Sequence, residues 1–136
     1  EALSDALRSA VKRMLVIQPD ARVACVNVMK TARLGMDQTT DGDGQSLHVS
    51  RLVGLRAWSD GIELNDDRLT FSVLENSDPA SAILAHAEAV QADHVLMGAR
   101  GHSTTRRFLG SVSAKVVAEA PCSVTVIRLP ERRAAE

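Results

Sequence analysis

Residues 93–129, DHVLMGARGHSTTRRFLGSVSAKVVAEAPCSVTVIRL, decide the fold of this chain. A short apolar run at 93–98 predicts a buried strand, and the Gly- and Arg-rich segment 98–110 predicts a loop. The small and apolar residues of 111–120 predict a helix, and the Val-rich run 122–129 predicts a last strand. A strand, a helix and a second strand in this order form the unit that joins neighbouring parallel strands.

The preceding sequence repeats this alternation of strands and helices. In chain order it predicts a helix at 2–17, a strand at 22–29, a helix at 47–59, a strand at 68–75 and a helix at 79–92. Residues 22–29, RVACVNVM, are almost continuously apolar, which is typical of a strand buried on both faces. The whole pattern predicts an α/β fold with an open, doubly wound, mostly parallel sheet and helices on both faces. The chain has 136 residues, so we expect one domain spanning 1–136.

Local signals mark the ends of two helices. Ser46 is expected to cap the helix that follows it. Asp78-Pro79 predicts a helix entry, not an acid–base pair, because proline is favoured in the first turn. The apolar face of the helix at 79–92 is expected to consist of Ile83, Leu84, Ala87 and Val90.

The composition narrows the possible functions. Hydrophobic residues make up 45% of the chain, the formal net charge is −1, and aromatic residues make up 2%. No apolar run is long enough to span a membrane, and neither the charge nor the aromatic content suits a nucleic-acid-binding surface. Cys25 and Cys122 lie in apolar runs and are interpreted as small buried hydrophobic residues, in preference to a disulfide or a metal pair. A reducing, cytoplasmic setting is expected.

The loop at 98–110 carries the strongest functional signal. It leaves the carboxyl end of a strand, where open parallel sheets bind their ligands. Gly98 and Gly101 allow a close backbone approach, and Gly110 with Ser111 opens a helix whose free N–H groups favour phosphate. Four basic side chains lie in the same loop: Arg100, His102, Arg106 and Arg107. The segment therefore predicts a polyphosphate cradle. The alternative is a glycine-rich turn with an ordinary helix start and solvated arginines.

The same segment resembles the carboxyl-terminal signature of the universal stress protein family. That signature is Gly, two residues, Gly, nine residues, Gly, then Ser or Thr. Gly98, Gly101, Gly110 and Ser111 match it in kind, although only eight residues separate Gly101 from Gly110. The resemblance implies a Rossmann-like fold, similar to adenine nucleotide alpha hydrolases, with the strand order 3-2-1-4-5.

The resemblance also implies a function and a site. It predicts an ATP-binding regulatory module in a bacterial stress response, with ATP bound with or without magnesium, no catalytic residue and at most weak ATP hydrolysis. Gly98 would lie against the ribose or first phosphate, and the Val28 backbone against adenine. The complete predicted binding set is Val28, Gly98, Arg100, Gly101, His102, Gly110, Ser111 and Val112. A homodimer through the last strand, 122–129, is expected.

Two departures from the family pattern support an alternative. The spacer between Gly101 and Gly110 is one residue short, and the first family strand, with the acidic residue that contacts adenine, is absent from the chain. We expect that strand before Glu1, and its absence would leave a gap between 22–29 and 93–98. The alternative function is a dimeric interaction module of the same fold that binds no nucleotide.

Overall fold

Helices and strands alternate through the computed structural model, which describes residues 2–31, 46–99 and 110–129. The elements run in the order α1 (Ala2–Ile17), β1 (Val23–Lys30), α2 (Leu47–Ser59), a 3₁₀ turn (Asp66–Arg68), β2 (Leu69–Asn76), α3 (Pro79–Ala89), β3 (His94–Gly98), α4 (Ser111–Glu119) and β4 (Ser123–Ile127). The predicted α/β class and its alternation are confirmed. Each helix in residues 2–31, 46–99 and 110–129 is too short or too polar to span a lipid bilayer.

The four described strands form two parallel pairs. β1 pairs with β2 in a register that matches Val23 with Leu69, and a bond from Thr31 N to Asn76 O (3.1 Å) extends this ladder. β3 pairs with β4, and its last matched residue is Gly98. Hydrogen bonds between strands are confined to these two pairs in the described part of the chain, so each pair is a separate sheet.

The burial of β1 departs from the sequence prediction. Cys25 and Met29 are buried, whereas the other residues of β1 are half-buried or exposed. All five residues of β3 are half-buried. The expectation of a strand buried on both faces is therefore wrong for β1. The physical reason is that β1 and β3 each have one hydrogen-bonded neighbour among the described strands, so their other edges and adjoining faces keep access to solvent.

Helix α3 packs on the first strand pair and on α4 through small side chains. Ala80, Ala82 and Ala87 are buried, so α3 approaches its neighbours closely. The predicted apolar face is correct at Ala87 but wrong at Val90, which is 47% exposed because the helix ends one residue earlier. On α4, Val116 is completely buried.

The two helix starts predicted from local signals have different outcomes. Ser46 precedes α2 but makes no side-chain capping bond, so that expectation is wrong. Asp78 does cap α3, because its Oδ1 accepts from Ser81 N at 3.5 Å with Pro79 in the first turn. The interpretation of Asp78-Pro79 as a helix entry is confirmed.

Helix α1 is held at both ends by polar contacts. Near its end, the guanidinium of Arg68 donates to the carbonyl oxygens of Pro19 and Ala21. Near its start, Trp58 Nε1 donates to Ser4 O at 2.9 Å, and Arg8 Nη1 donates to Trp58 O at 3.0 Å. α1 also packs against β3 and β4, so its first turn lies at the carboxyl end of β3.

Candidate functional site

The candidate site lies where β3 ends and α4 begins. β3 ends at Gly98, and α4 begins at Ser111, directly after Gly110. Gly110 has φ 88° and ψ 158°, a backbone conformation that L-residues with a side chain rarely adopt. Glycine at this position is therefore required by the turn itself, which directs the first turn of α4 toward the end of β3.

A cavity of about 360 Å³ separates these segments from α1. Its lining consists of Leu3, Ser4 and Leu7 from α1, Met97 and Gly98 from β3, and Gly110, Ser111, Val112 and Ser113 at the start of α4. A volume of this size lies within the usual range for small-ligand pockets. It is set at the carboxyl end of a parallel strand, where such ligands bind.

The cavity has one apolar and one polar wall. α1 supplies Leu3 and Leu7, whereas α4 supplies its first turn and the hydroxyls of Ser111 and Ser113. The bond from Ala114 N to Gly110 O (3.0 Å) opens the helical ladder, so the amides of residues 111–113 precede it and have no acceptor within the helix. These amides and the positive end of the helix dipole favour an anion.

Gly98 lies directly beneath Leu3. A Cβ placed on Gly98 would come within 3.0 Å of Leu3 Cδ2 and 3.1 Å of Leu3 Cγ. The Leu3 side chain therefore packs against the face of this glycine that a Cβ would occupy.

Comparison with known proteins supports the resemblance seen in the sequence. The sequence model of the Universal stress protein family matches residues 1–128. The chain belongs to the universal stress protein family. Membership in this family supports a role in the stress response.

Curated relatives carry the same family name. A universal stress protein of Thermus aquaticus is 48% identical over 58 residues, which cover 42% of this chain and 42% of the relative. One from Methanothermobacter thermautotrophicus is 39% identical over 57 residues, which cover 42% of this chain and 39% of the relative. A putative universal stress protein of Staphylococcus aureus is 31% identical over 119 residues, which cover 82% of this chain and 69% of the relative. The matched part of the chain thus spans less than half the length of the first two relatives.

In this universal stress protein, the structure brings four of the predicted binding residues together. Gly98, Gly110, Ser111 and Val112 all line the cavity. Arg100, Gly101 and His102 lie outside the described residues, as do Arg106 and Arg107. Val28 lies in the other strand pair, opposite Leu74, and is not part of the cavity lining.

Sequence reasoning missed the contribution of α1 to the site. Leu3 and Leu7 recur at helical spacing, which predicts a core-facing stripe and carries no sign of a cavity wall. The spacing is informative about the helix, but it does not say which strand the helix covers. Ser4 likewise has no recognisable motif around it.

Next to Val28, β1 makes a polar contact with α2. Asn27 Oδ1 accepts a hydrogen bond from Arg51 Nη1 of α2 at 2.9 Å. The contact places a guanidinium beside the strand position that the family resemblance assigns to adenine.

A second polar cluster anchors α4 to α3. Lys115 Nζ lies 2.6 Å from Asp78 Oδ2, and Ser81 Oγ donates to the same oxygen at 2.7 Å. The hydrogen bonds from Lys115 and Ser81 lower the pKa of Asp78 to about 2. The hydrogen bond to Asp78 in turn raises the pKa of Lys115 above its usual value. The cluster is thus fully charged at neutral pH and ties the cavity-forming helix to its neighbour.

Metal ligands are not grouped in the parts of the chain that the structure describes. Within 2–31, 46–99 and 110–129, no three side chains of His, Cys, Asp or Glu lie close enough to hold a metal ion. The residues that line the cavity supply hydroxyls, backbone groups and apolar side chains. This set suits binding of an anionic ligand.

Proposed function

We propose that this universal stress protein is a cytoplasmic ATP-binding regulatory module in a bacterial stress response. The observation that carries the proposal is the meeting of Gly98, Gly110, Ser111 and Val112 around one cavity. These residues match the family signature in sequence, and three of them belong to a helix start that favours phosphate.

The phosphates of ATP are assigned to the first turn of α4. The amides of residues 111–113 would donate to phosphate oxygens, and the Ser111 hydroxyl would add a further hydrogen bond. By its sequence position, the basic loop with Arg100, Gly101 and His102 would enclose the phosphate chain, with or without magnesium. We assign adenine to the backbone of Val28 on the strength of the resemblance.

Nucleotide binding with at most weak turnover is the activity proposed for this site. The described side chains that line the cavity include hydroxyls but no carboxylate, imidazole or thiol, so none of them is suited to act as a general base. Ser111 is interpreted as a phosphate contact. At most, weak hydrolysis by bound water is expected.

Calorimetric titration with ATP and magnesium tests this proposal. Gly110→Leu should lower the affinity at least tenfold, because the new side chain fills the cradle and is strained at φ 88°. Gly54→Leu is the matched control, since a Cβ at Gly54 on α2 meets nothing within 4 Å. Absence of binding by the unaltered protein at millimolar ATP would refute the proposal. Unaltered affinity in a folded Gly110→Leu variant would refute the assigned site.

The proposed fold is a single sheet with a fifth strand between the two observed pairs. In chain-order labels of the observed strands, the order would be β2-β1-x-β3-β4, where x is a parallel strand. Support comes from β1 and β3, whose second edges are unpaired among the described strands and whose residues are mostly half-buried. Exposed apolar edges of this kind favour pairing with another strand.

Hydrogen exchange on the protein isolated from its source tests the fifth strand. In a parallel pair, alternate amides of β1 point to β2 and the others point away. A fifth strand should protect both sets of amides in β1. Protection confined to every second amide would exclude it.

A dimeric interaction module that binds no nucleotide is the second candidate. β4 pairs with β3 alone among the described strands, so its other edge is open to a second copy, and Leu129 beside it is 46% exposed. Light scattering should report a dimer that Leu129→Asp dissociates. Val117→Asp is the matched control, because Val117 on α4 has the same exposure. A strictly monomeric unaltered protein would exclude dimerisation.

A further inference from the structure

Leu3 packs against the face of Gly98 that a Cβ would occupy, and both residues line the cavity. Its Cδ2, Cγ and Cδ1 atoms lie 3.0, 3.1 and 3.2 Å from the position of a Cβ on Gly98. These distances are shorter than ordinary carbon–carbon contacts, so the leucine packs against the bare Cα of the glycine. A nucleotide that contacts this face of Gly98 would therefore compete with the Leu3 side chain for the same volume.

Helix α2 holds Leu3 in this place through a hydrogen bond to Ser4, the residue after Leu3. Ser4 lines the cavity, and its carbonyl oxygen accepts the hydrogen bond from Trp58 Nε1 at 2.9 Å. Arg8 Nη1 donates to Trp58 O at 3.0 Å, and Arg8 Nη2 pairs with Asp5 Oδ1 at 2.7 Å. The position of Leu3 is thus coupled to a polar latch between Trp58 of α2 and the first two turns of α1.

The first turns of α1 are suited to movement. The buried residues of this helix are Ala10 and Val11, whereas Leu3 and Leu7 are only half-buried. Segments with few buried apolar contacts open locally at lower free energy than the core does. Breaking the latch would therefore release only side chains that are half-buried or exposed in this structure.

We propose that Leu3 is the gate of the nucleotide site. With Trp58 bonded to Ser4, Leu3 covers one face of Gly98 and narrows the site. A nucleotide that reaches Gly98 displaces Leu3 and loosens the Trp58–Ser4 bond. The proposal rests on the proposed function, and it adds a residue that determines affinity through the fraction of open molecules.

Calorimetry with ATP and magnesium compares the unaltered protein with Leu3→Ala and Leu15→Ala. Leu3→Ala removes the gate and should tighten binding about tenfold or more, as expected if about a tenth of the molecules or fewer are open. Leu15→Ala is the matched control, because Leu15 is half-buried on the same helix and lies outside the cavity lining. Its affinity should equal that of the unaltered protein.

Trp58 fluorescence gives a second readout. The chain has one tryptophan and no tyrosine, so its emission reports on the latch alone. ATP should shift this emission in the unaltered protein and shift it much less in Leu3→Ala. Trp58→Phe keeps an aromatic ring but removes the donor to Ser4, and it should also tighten binding.

The outcomes separate the gate from the nucleotide site. If both the unaltered protein and Leu3→Ala bind ATP with equal affinity, the gate is refuted and the nucleotide site stands. If neither binds at millimolar ATP, both proposals fail. If both proteins bind ATP and Leu3→Ala binds more tightly, both proposals are supported. If circular dichroism shows that Leu3→Ala does not fold, the affinity of Trp58→Phe for ATP decides between the outcomes. An affinity of Trp58→Phe equal to that of the unaltered protein refutes the gate.

Discussion

Lys115 of α4 holds the carboxylate that caps α3. Its Nζ lies 2.6 Å from Asp78 Oδ2 and 3.1 Å from Ser81 Oγ. Lys115 follows Ser111 by one helical turn, so the two residues share a face of α4. The ammonium group therefore links the start of the cavity-forming helix to the start of its neighbour.

Removal of Asp78 should destabilise the protein more than removal of Lys115. Asp78→Ala deletes the helix cap and the ion pair, whereas Lys115→Met deletes only the ion pair. The double variant should melt close to Asp78→Ala, since Lys115 has then already lost this partner. Thermal unfolding by circular dichroism measures all three Tm values. A lower Tm for Lys115→Met than for Asp78→Ala would contradict the assignment of the cap.

The stabilisation from the Asp78–Lys115 pair should be lost in strong acid. The pKa of Asp78 falls from 3.8 to about 2 on folding, so its contribution is complete above about pH 5 and disappears as the pH falls through 3.8 toward 2. Folding raises the pKa of Lys115 above 10.5, so the ion pair contributes fully to stability below pH 10.5. This contribution is lost as the pH rises through the pKa that Lys115 has in the folded protein. Tm of the unaltered protein minus Tm of Asp78→Asn should be constant between pH 5 and pH 10 and shrink below pH 4. A difference that persists at pH 2 would show that the charge of Asp78 is not its source.

Two adjacent valines of α4 should differ sharply in their contribution to stability. Val116 is 0% exposed and Val117 is 46% exposed. Val116→Ala should lower the free energy of unfolding by about 2 kcal/mol, from lost burial and the cavity left behind. Val117→Ala should change it by less than about 0.5 kcal/mol. Urea denaturation measures both, and equal effects would place Val116 outside the core.

The two cysteines should differ in reactivity. Burial raises the pKa of the Cys25 thiol from 9.0 to about 11, so at pH 8 little of this thiol is in the reactive thiolate form. Cys122 is half-buried, because it lies just before β4. The prediction that it is a buried residue is therefore only partly correct. A disulfide-exchange reagent at pH 8 should modify one thiol quickly in the native protein, and two in urea. In Cys122→Ser the fast reaction should vanish; if it persists, Cys25 is accessible.

The sequence was most informative where the deciding forces are local. The apolar run around Cys25 and the segment leading to Gly98 predicted strands, and Asp78-Pro79 predicted a helix entry. In each case the signal lies within a few residues of the element, since periodicity and backbone restriction act at that range. Ser46 failed because a hydroxyl near a helix start does not by itself make the capping bond.

The sequence predicted the place of the candidate site but only part of its wall. Gly98, Gly110 and Ser111 were predicted because glycine at a strand end and a hydroxyl at a helix start have a recognisable chemistry. Leu3 has no such chemistry, and a leucine at helical spacing is equally suited to any apolar surface. The family resemblance assigns adenine to Val28, whose strand lies in the other parallel pair.

By itself, the sequence determined the alternation of helices and strands and the helix start that would receive a phosphate. Both depend on neighbours in the chain, which an amino-acid sequence specifies directly. Only the tertiary structure decided that Leu3 covers Gly98 and that Lys115 reaches Asp78. These contacts join residues far apart in the chain, and they arise from the way α1 lies on β3 and α4 lies beside α3. Such packing depends on the shapes of whole surfaces, so no local pattern of residues encodes it.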